Sequence, residues 1–247
     1  MTDVEKLKKI FSESSRAVFF GGAGMSTESG IPDFRSATGI YNQKLHKTFR
    51  SEEMASYNFF VNHTEDFFDF YRTRFVFLNA KPNAGHFALA ELERRGNLAA
   101  VVTQNIDGLH QLAGSKKVFE LHGSIRRAYC IKCGEKYGID FVMNNRPIPY
   151  CEKCGGIVKP DVVLYGESLD SNVLDASIRA IAQADTLIVG GTSLVVYPAA
   201  GLIDYFHGEH LILINKSETR ADEFAELVIR DNIGETLSKC VIKNLNT

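Results

Sequence analysis

Four of the five cysteines stand in two CxxC pairs, Cys130/Cys133 and Cys151/Cys154, with seventeen residues between the pairs. Each pair can turn two thiolates toward one point, and two such knuckles give the tetrahedral sulfur shell that zinc prefers, with Zn–S near roughly 2.3 Å. Four sulfurs leave no open position for water, so one such ion is structural. A redox CxxC needs one pair rather than two at ribbon spacing, and Gly134, Gly155 and Gly156 supply the turns that knuckles require. In a reducing compartment, paired CxxC motifs are metal ligands more often than disulfides. Cys240 stands alone and reads as a small apolar residue.

A second constellation follows the first apolar run. Gly22-Ala23-Gly24-Met25-Ser26-Thr27 has the first two glycines of GxGxxG, with Thr27 where the third should stand. No acidic residue closes a second strand about 20 residues on, so the dehydrogenase fingerprint is incomplete. Backbone N–H groups at a helix N-terminus here would hold a pyrophosphate; a tight structural turn is the other reading, and the loop alone leaves both open. Asp33-Phe34-Arg35 then sets an acid, an aromatic and a guanidinium beside it.

The elements that must position these groups follow from apolar patterning. Val4, Leu7, Ile10 and Phe11 keep helical spacing, so an amphipathic helix is expected to end near Ser12–Ser15. Ala17–Phe20, Ala100–Thr103, Thr186–Val189 and Leu211–Ile214 are short and apolar on both faces, as covered parallel strands should be. Helical stretches such as His86–Arg95 and Val173–Gln183 lie between them. This alternation predicts an α/β fold, a doubly wound, Rossmann-like parallel sheet binding ligands at the carboxyl ends of its strands. Two segments break the rhythm. Residues 36–80 are aromatic-rich and read as inserted helices, and residues 124–160 carry the cysteine pairs. Together they are expected to form a smaller inserted helical and zinc-ribbon domain, leaving 1–35, 81–123 and 161–247 as the dinucleotide-binding domain.

With 247 residues, 45% hydrophobic and 11% aromatic, the chain can bury a large core, and disorder is excluded. A formal charge of −2 gives no electrostatic reason to expect nucleic acid as a partner. No apolar run approaches the roughly 18 to 20 residues that span a bilayer, so no membrane partner is expected. The charged opening MTDVEKLKKIF lacks a signal-peptide core. A cytoplasmic protein is expected.

Taken together, GAGMSTESGIPDFR, TQNIDGLH, ELHG, the cysteine pairs, PDVVLYGE, GTSLVVYPAA and the strand ending ILIN occur in one order over nearly the whole chain. That order resembles the sirtuins, the NAD-dependent protein lysine deacylases. The resemblance implies NAD as co-substrate, one structural zinc and an acylated lysine in a protein or peptide as partner. It also implies nicotinamide and O-acyl-ADP-ribose as products, with deacetylation as the main activity. By the same resemblance His122 is the general base. It takes a proton from a ribose hydroxyl so that the oxygen attacks the imidate carbon, and an intrinsic pKa near roughly 6.5 suits that role. Asn105 holds a ribose hydroxyl or an ordered water. Asp107, with Ile106 and Phe34, surrounds the nicotinamide carboxamide, and Phe34 also shields the freed ribose carbon. Arg35 contacts phosphate. Gly22, Ala23, Gly24, Thr27, Asp33, Tyr41 and Gln104 complete the cofactor set on this side. Gly191, Thr192 and Ser193 open a helix that could bind phosphate or ribose, Asn215 meets the adenine-side ribose, and Ile233 lies against adenine.

The peptide is expected as an added strand between Val162–Glu167, including Val163, Tyr165, Gly166 and Glu167, and the Thr192–Pro198 loop. Tyr71-x-x-Arg74 resembles the pair that receives the carboxylate of succinyl- or malonyl-lysine in one sirtuin branch. An aromatic-rich helix with a solvated arginine is the competing reading. Mono-ADP-ribosyl transfer and a silent NAD-sensing module are the rival functions. Of the seven histidines, His46, His63, His207 and His210 have no motif around them, and His86 and His110 have no evident chemistry.

Overall fold

In the computed structural model, which describes residues 1–42 and 49–241, each of the four apolar runs forms a strand. In chain order the strands are β1 (Ala17–Gly21), β2 (Leu98–Thr103), β3 (Val118–Glu120), β4 (Gly123–Cys130), β5 (Lys136–Gly138), β6 (Val158–Val162), β7 (Thr186–Gly190), β8 (His210–Ile214) and β9 (Leu227–Ile229). Six make one sheet of order β3-β2-β1-β7-β8-β9. All its pairings are parallel. His46 lies outside the described residues.

The helices are α1 (Asp3–Glu13), α2 (Ser51–Met54), α3 (Tyr57–Asn62), α4 (Thr64–Arg74), α5 (Ala84–Arg94), α6 (Leu109–Ala113), α7 (Ile139–Asn144), α8 (Ser171–Ala182) and α9 (Ile233–Val241). The period-two alternation of the strands divides the sheet's side chains between two covered faces. Ala17, Phe19, Ile188, Ile212 and Ile214 pack with Leu7, Leu89 and Leu237, from α1, α5 and α9. Val18, Phe20, Leu187, Val189 and Leu213 pack on the other side with Ile181 of α8 and Leu202. β3 and β9 are three-residue edge strands that the sequence pattern missed; three residues are too few to show a period.

The two inserted segments share a third core. Phe59, Phe60, Phe67, Phe68, Phe70 and Tyr71, from α3 and α4, pack with Ile125, Ala128, Val142 and Val158. The latter belong to α7 and to a small antiparallel sheet of order β5-β4-β6. Arg72 fastens the two pieces. Only 5% exposed, its guanidinium donates to the carbonyls of Val142, Asn145 and Pro147 around the end of α7. The Val142 and Asn145 carbonyls lie in the last turn and at the C-cap of α7, where a cation is favoured.

Strand order reverses between β1 and β7, so the crevice of a doubly wound sheet falls between their carboxyl ends. The Gly22 and Gly191 loops leave the sheet at that point.

Candidate active site

The two loops touch backbone to backbone. The Gly24 N–H donates to the Gly191 carbonyl at 2.8 Å, and the Gly22 N–H to the Gly190 carbonyl at 3.2 Å. A Cβ on Gly24 would stand 2.7 Å from Gly191 Cα, and one on Gly22 would stand 2.8 Å from Gly191 O. Both glycines are therefore required by this close approach. The helix N-terminus expected after the loop is replaced by two 3-10 turns, Ala23–Met25 and Thr27–Ser29. Gly30, at φ +81°, and Pro32 stop any longer helix. Gly191, Thr192 and Ser193 likewise open no helix. A loop with Leu194 at φ +53° leads instead to the 3-10 segment Ala199–Tyr205. Thr192 Oγ1 braces that loop, accepting from the Leu194 N–H at 3.2 Å and from Gln104 Nε2 at 3.0 Å.

A cavity of about 760 Å³ opens over this crossing, within the size range of small-molecule and cofactor sites. Its walls include Gly22, Ala23, Gly24, Thr27, Asp33, Phe34, Arg35, Tyr41, Gln104, Asn105, Ile106, His122, Gly191, Thr192, Ser193, Asn215 and Ile233. Val163, Tyr165, Gly166 and Glu167 line it too, as do Val196, Tyr197 and Pro198. Three residues expected at the site are not on its walls: Asp107, Tyr71 and Arg74.

His122 follows β3 and is half-buried. Its Nδ1 lies 2.9 Å from the Gln104 carbonyl oxygen. A carbonyl can only accept, so Nδ1 carries the proton, which leaves Nε2 as the basic nitrogen. Burial pushes its pKa below the ordinary histidine value, against a smaller opposing effect of the Gln104 bond. The ring is thus neutral and proton-accepting at pH 7.

Asn105 is 7% exposed. Its Nδ2 donates to Ser26 Oγ at 3.1 Å, and Ser26 Oγ donates to Asp107 Oδ2 at 2.7 Å. Asp107 Oδ1 accepts from the Leu109 N–H at 2.8 Å, at the start of α6. Both its oxygens are thus engaged inside the protein, and burial raises its pKa. Asp107 thus braces Ser26 and, through it, Asn105 beside the cavity. Ser26 was missed because a serine in a glycine loop carries no spacing signal; only the fold brings it to residues 79 and 81 positions away. Asn83 was missed for the same reason. Its Nδ2 holds the Met25 carbonyl at 2.8 Å and Ser29 Oγ at 3.1 Å. His86 Nδ1 in turn accepts from the Asn83 N–H at 3.2 Å. His86 packs on His110 with ring centroids 4.7 Å apart, and burial lowers the pKa of His86 to about 4.

The loop after the 3-10 turns folds back on itself. Asp33 Oδ1 accepts from the Arg35 and Ser36 amides at 3.1 and 2.8 Å. Phe34 meets Tyr41 at 5.2 Å and Phe75 at 6.0 Å between ring centroids. Arg35 Nη2 donates to the Tyr165 hydroxyl at 3.0 Å, and the Tyr41 hydroxyl lies 3.4 Å from it. Burial, and then that Tyr165 contact, raise the pKa of Tyr41.

The amides of Val163, Leu164, Tyr165 and Glu167 already donate within the protein, to His122 O, Glu167 Oε2, Ala55 O and Leu164 O. A strand added to this wall therefore has fewer donors than an open sheet edge offers. Tyr71 is fully buried. Its hydroxyl donates to the Ile125 carbonyl at 3.4 Å, and burial raises its pKa. The aromatic stripe of α4 is core, and neither Tyr71 nor Arg74 is on the cavity walls.

The cysteine pairs converge as their spacing implied. Cys130 and Cys154 Sγ are 3.4 Å apart, Cys133 and Cys151 Sγ are 3.6 Å apart, and all four lie within 4.8 Å of one another. A disulfide would need about 2.05 Å; tetrahedral Zn–S bonds of about 2.3 Å require S···S edges near 3.8 Å. The four sulfurs fit a zinc ion. Each knuckle has the same backbone closure: the Gly134 N–H donates to Cys130 O and the Gly155 N–H to Cys151 O, both at 2.9 Å.

A model of the Sir2 family matches residues 22–198. The chain is 61% identical over 239 residues to a protein of Clostridium acetobutylicum named NAD-dependent protein deacetylase, covering 96% of this chain and 98% of that protein. It is 59% identical over 239 residues to one of Clostridium perfringens of the same name, with 96% and 98% coverage. A solved Sir2 variant with deacetylated p53 peptide and 3′-O-acetyl ADP ribose matches at TM-score 0.88 and 38% identity, covering 96% of this chain and 97% of that one. Sir2 with p53 peptide and NAD matches at TM-score 0.84 and 40% identity, with 96% of each chain covered. On this agreement of sequence, fold and site, the chain belongs to the Sir2 family.

Proposed function

We propose that the chain is an NAD-dependent protein lysine deacetylase. Acyl-lysine, NAD and water give lysine, nicotinamide and O-acyl-ADP-ribose. The observation that carries this reading is the fixed tautomer of His122, which leaves Nε2 basic on a residue that lines one cavity with both glycine loops and the Val163–Glu167 wall. NAD supplies a glycosidic bond whose carbon becomes electrophilic as nicotinamide leaves. Asn105, held by Ser26, presents its remaining polar atoms to the ribose. Phe34, packed on Tyr41 and Phe75, excludes water above the ribose. His122 Nε2 removes the ribose hydroxyl proton, so that the oxygen can take the acyl group. Arg35 can leave the Tyr165 hydroxyl for a phosphate oxygen. Asn215 and Ile233 sit at the end of the cavity expected to hold the adenosine. Residues 36–80 and 124–160 act as one small unit through their common core, held by zinc at Cys130, Cys133, Cys151 and Cys154.

The substrate class is an acylated lysine in a peptide or protein. The similar solved structures include Sir2Tm bound to a propionylated peptide. Among the described residues no helix is long and apolar enough to cross a membrane. Mass spectrometry of an acetyl-lysine peptide incubated with NAD tests the reading. Deacetylated peptide with equimolar O-acetyl-ADP-ribose supports it. A protein product heavier by ADP-ribose would establish transferase activity instead, and NAD binding without nicotinamide release would establish a sensing module.

A further inference from the structure

The peptide-facing wall is stapled by a buried cation that plays no part in the chemistry above. Lys159 is 2% exposed. Its Nζ lies 2.8 Å from the Val162 carbonyl, 2.9 Å from Glu167 Oε2 and 3.4 Å from the Pro160 carbonyl. Glu167 Oε2 also accepts the Leu164 N–H at 2.9 Å. One ammonium therefore closes the segment 162–167 on itself, carbonyl at one end and carboxylate at the other. The next amide, Val163 N–H, donates to the His122 carbonyl at 3.0 Å. The staple thus sets both the wall and its register against the base-bearing segment. A buried ammonium is costly unless paired and hydrogen-bonded. Its two shortest contacts, Val162 O and Glu167 Oε2, are both to the wall, and the Tyr129 ring lies 5.9 Å away.

We propose that Lys159 is a positioning residue for substrate peptide, holding the 162–167 wall in its binding geometry through Glu167. The inference rests on the deacetylase reading for the identity of the peptide. It requires that peptide affinity, and not NAD affinity, depends on this pair.

The test measures binding of a fluorescent acetyl-lysine peptide and of NAD to the full chain, alongside turnover and thermal melting. Lys159→Met is expected to weaken peptide binding about tenfold, the effect of losing one charge-assisted anchor, with NAD binding within twofold. The double variant Lys159→Met/Glu167→Leu removes both charges, a change that buried pairs often tolerate in stability. Recovered melting with peptide affinity still reduced supports positioning. Recovery of melting and peptide affinity together overturns it, as does equal weakening of peptide and NAD in Lys159→Met. If wild type binds the peptide but does not deacetylate it, the enzyme reading fails, while the affinities still decide the role of Lys159.

Discussion

Ser26→Ala probes the wall behind the cavity. Ser26 is 1% exposed, and its hydroxyl joins Asn105 to Asp107 with bonds of 3.1 and 2.7 Å. Its loss leaves a half-buried carboxylate with the Leu109 N–H as its one hydrogen bond and a buried amide without its acceptor, together worth about 2–4 kcal/mol. For a chain of this length that is roughly 5–15 °C in melting temperature. Burial already holds the Asp107 pKa above its ordinary value, and the Ser26 bond opposes that rise. A carboxyl with a raised folded pKa stabilises most below its unfolded pKa, near roughly 3.9. That contribution disappears as pH rises through the folded pKa. Removing Ser26 raises the folded value further, so the cost of the substitution must grow with pH. Urea unfolding at pH 7.5 and pH 4.5 should show the larger loss at pH 7.5, accompanied by reduced kcat/KM. Equal losses at both pH values, or none, would refute the network.

Three further outcomes follow from the same geometry. Because burial lowers the His122 pKa and the base acts unprotonated, the acid limb of kcat/KM should fall below pH 6.5; a limb centred above pH 7 contradicts the assignment. Stripping zinc, or Cys151→Ser, should unfold the core shared by the inserted segments. Structural zinc contributes about 10–16 kcal/mol in small domains, so metal-free protein with unchanged near-ultraviolet dichroism and melting would exclude the metal's role. Arg74→Met should leave the ratio of acetyl- to succinyl-peptide turnover unchanged, because Tyr71 beside it is core. Selective loss of succinyl turnover would restore the acidic-acyl pocket.

The elements legible in the sequence were those whose side chains repeat a physical demand. Strands covered on both faces must be continuously apolar, which marked β1, β2, β7 and β8. Two CxxC knuckles impose turns and spacing, which marked the sulfur cluster. The glycine pair was legible as a loop, but its close approach to Gly191 depends on a strand some 170 residues away, and no local pattern carries that. Tyr71 was ambiguous for a related reason: a helical aromatic can face a ligand or the core, and its burial against Ile125 and the small sheet is set by the fold. The bonds that Ser26 and the Leu109 amide make to Asp107 were not legible, since both partners are brought to it by the fold. Ser26, Asn83 and Lys159 gave no signal, because each acts on carbonyls, hydroxyls or a carboxylate whose location is set by the fold.

The most direct measurement separates the two halves of the reaction in His122→Ala. With acetyl-lysine peptide, NAD and isotope-labelled nicotinamide, the variant should still exchange nicotinamide into NAD, since that step needs no base at the ribose hydroxyl. Its formation of O-acetyl-ADP-ribose should drop by about 10² to 10⁴. Product formed at the wild-type rate, or exchange and product lost in equal proportion, would contradict the role of the imidazole.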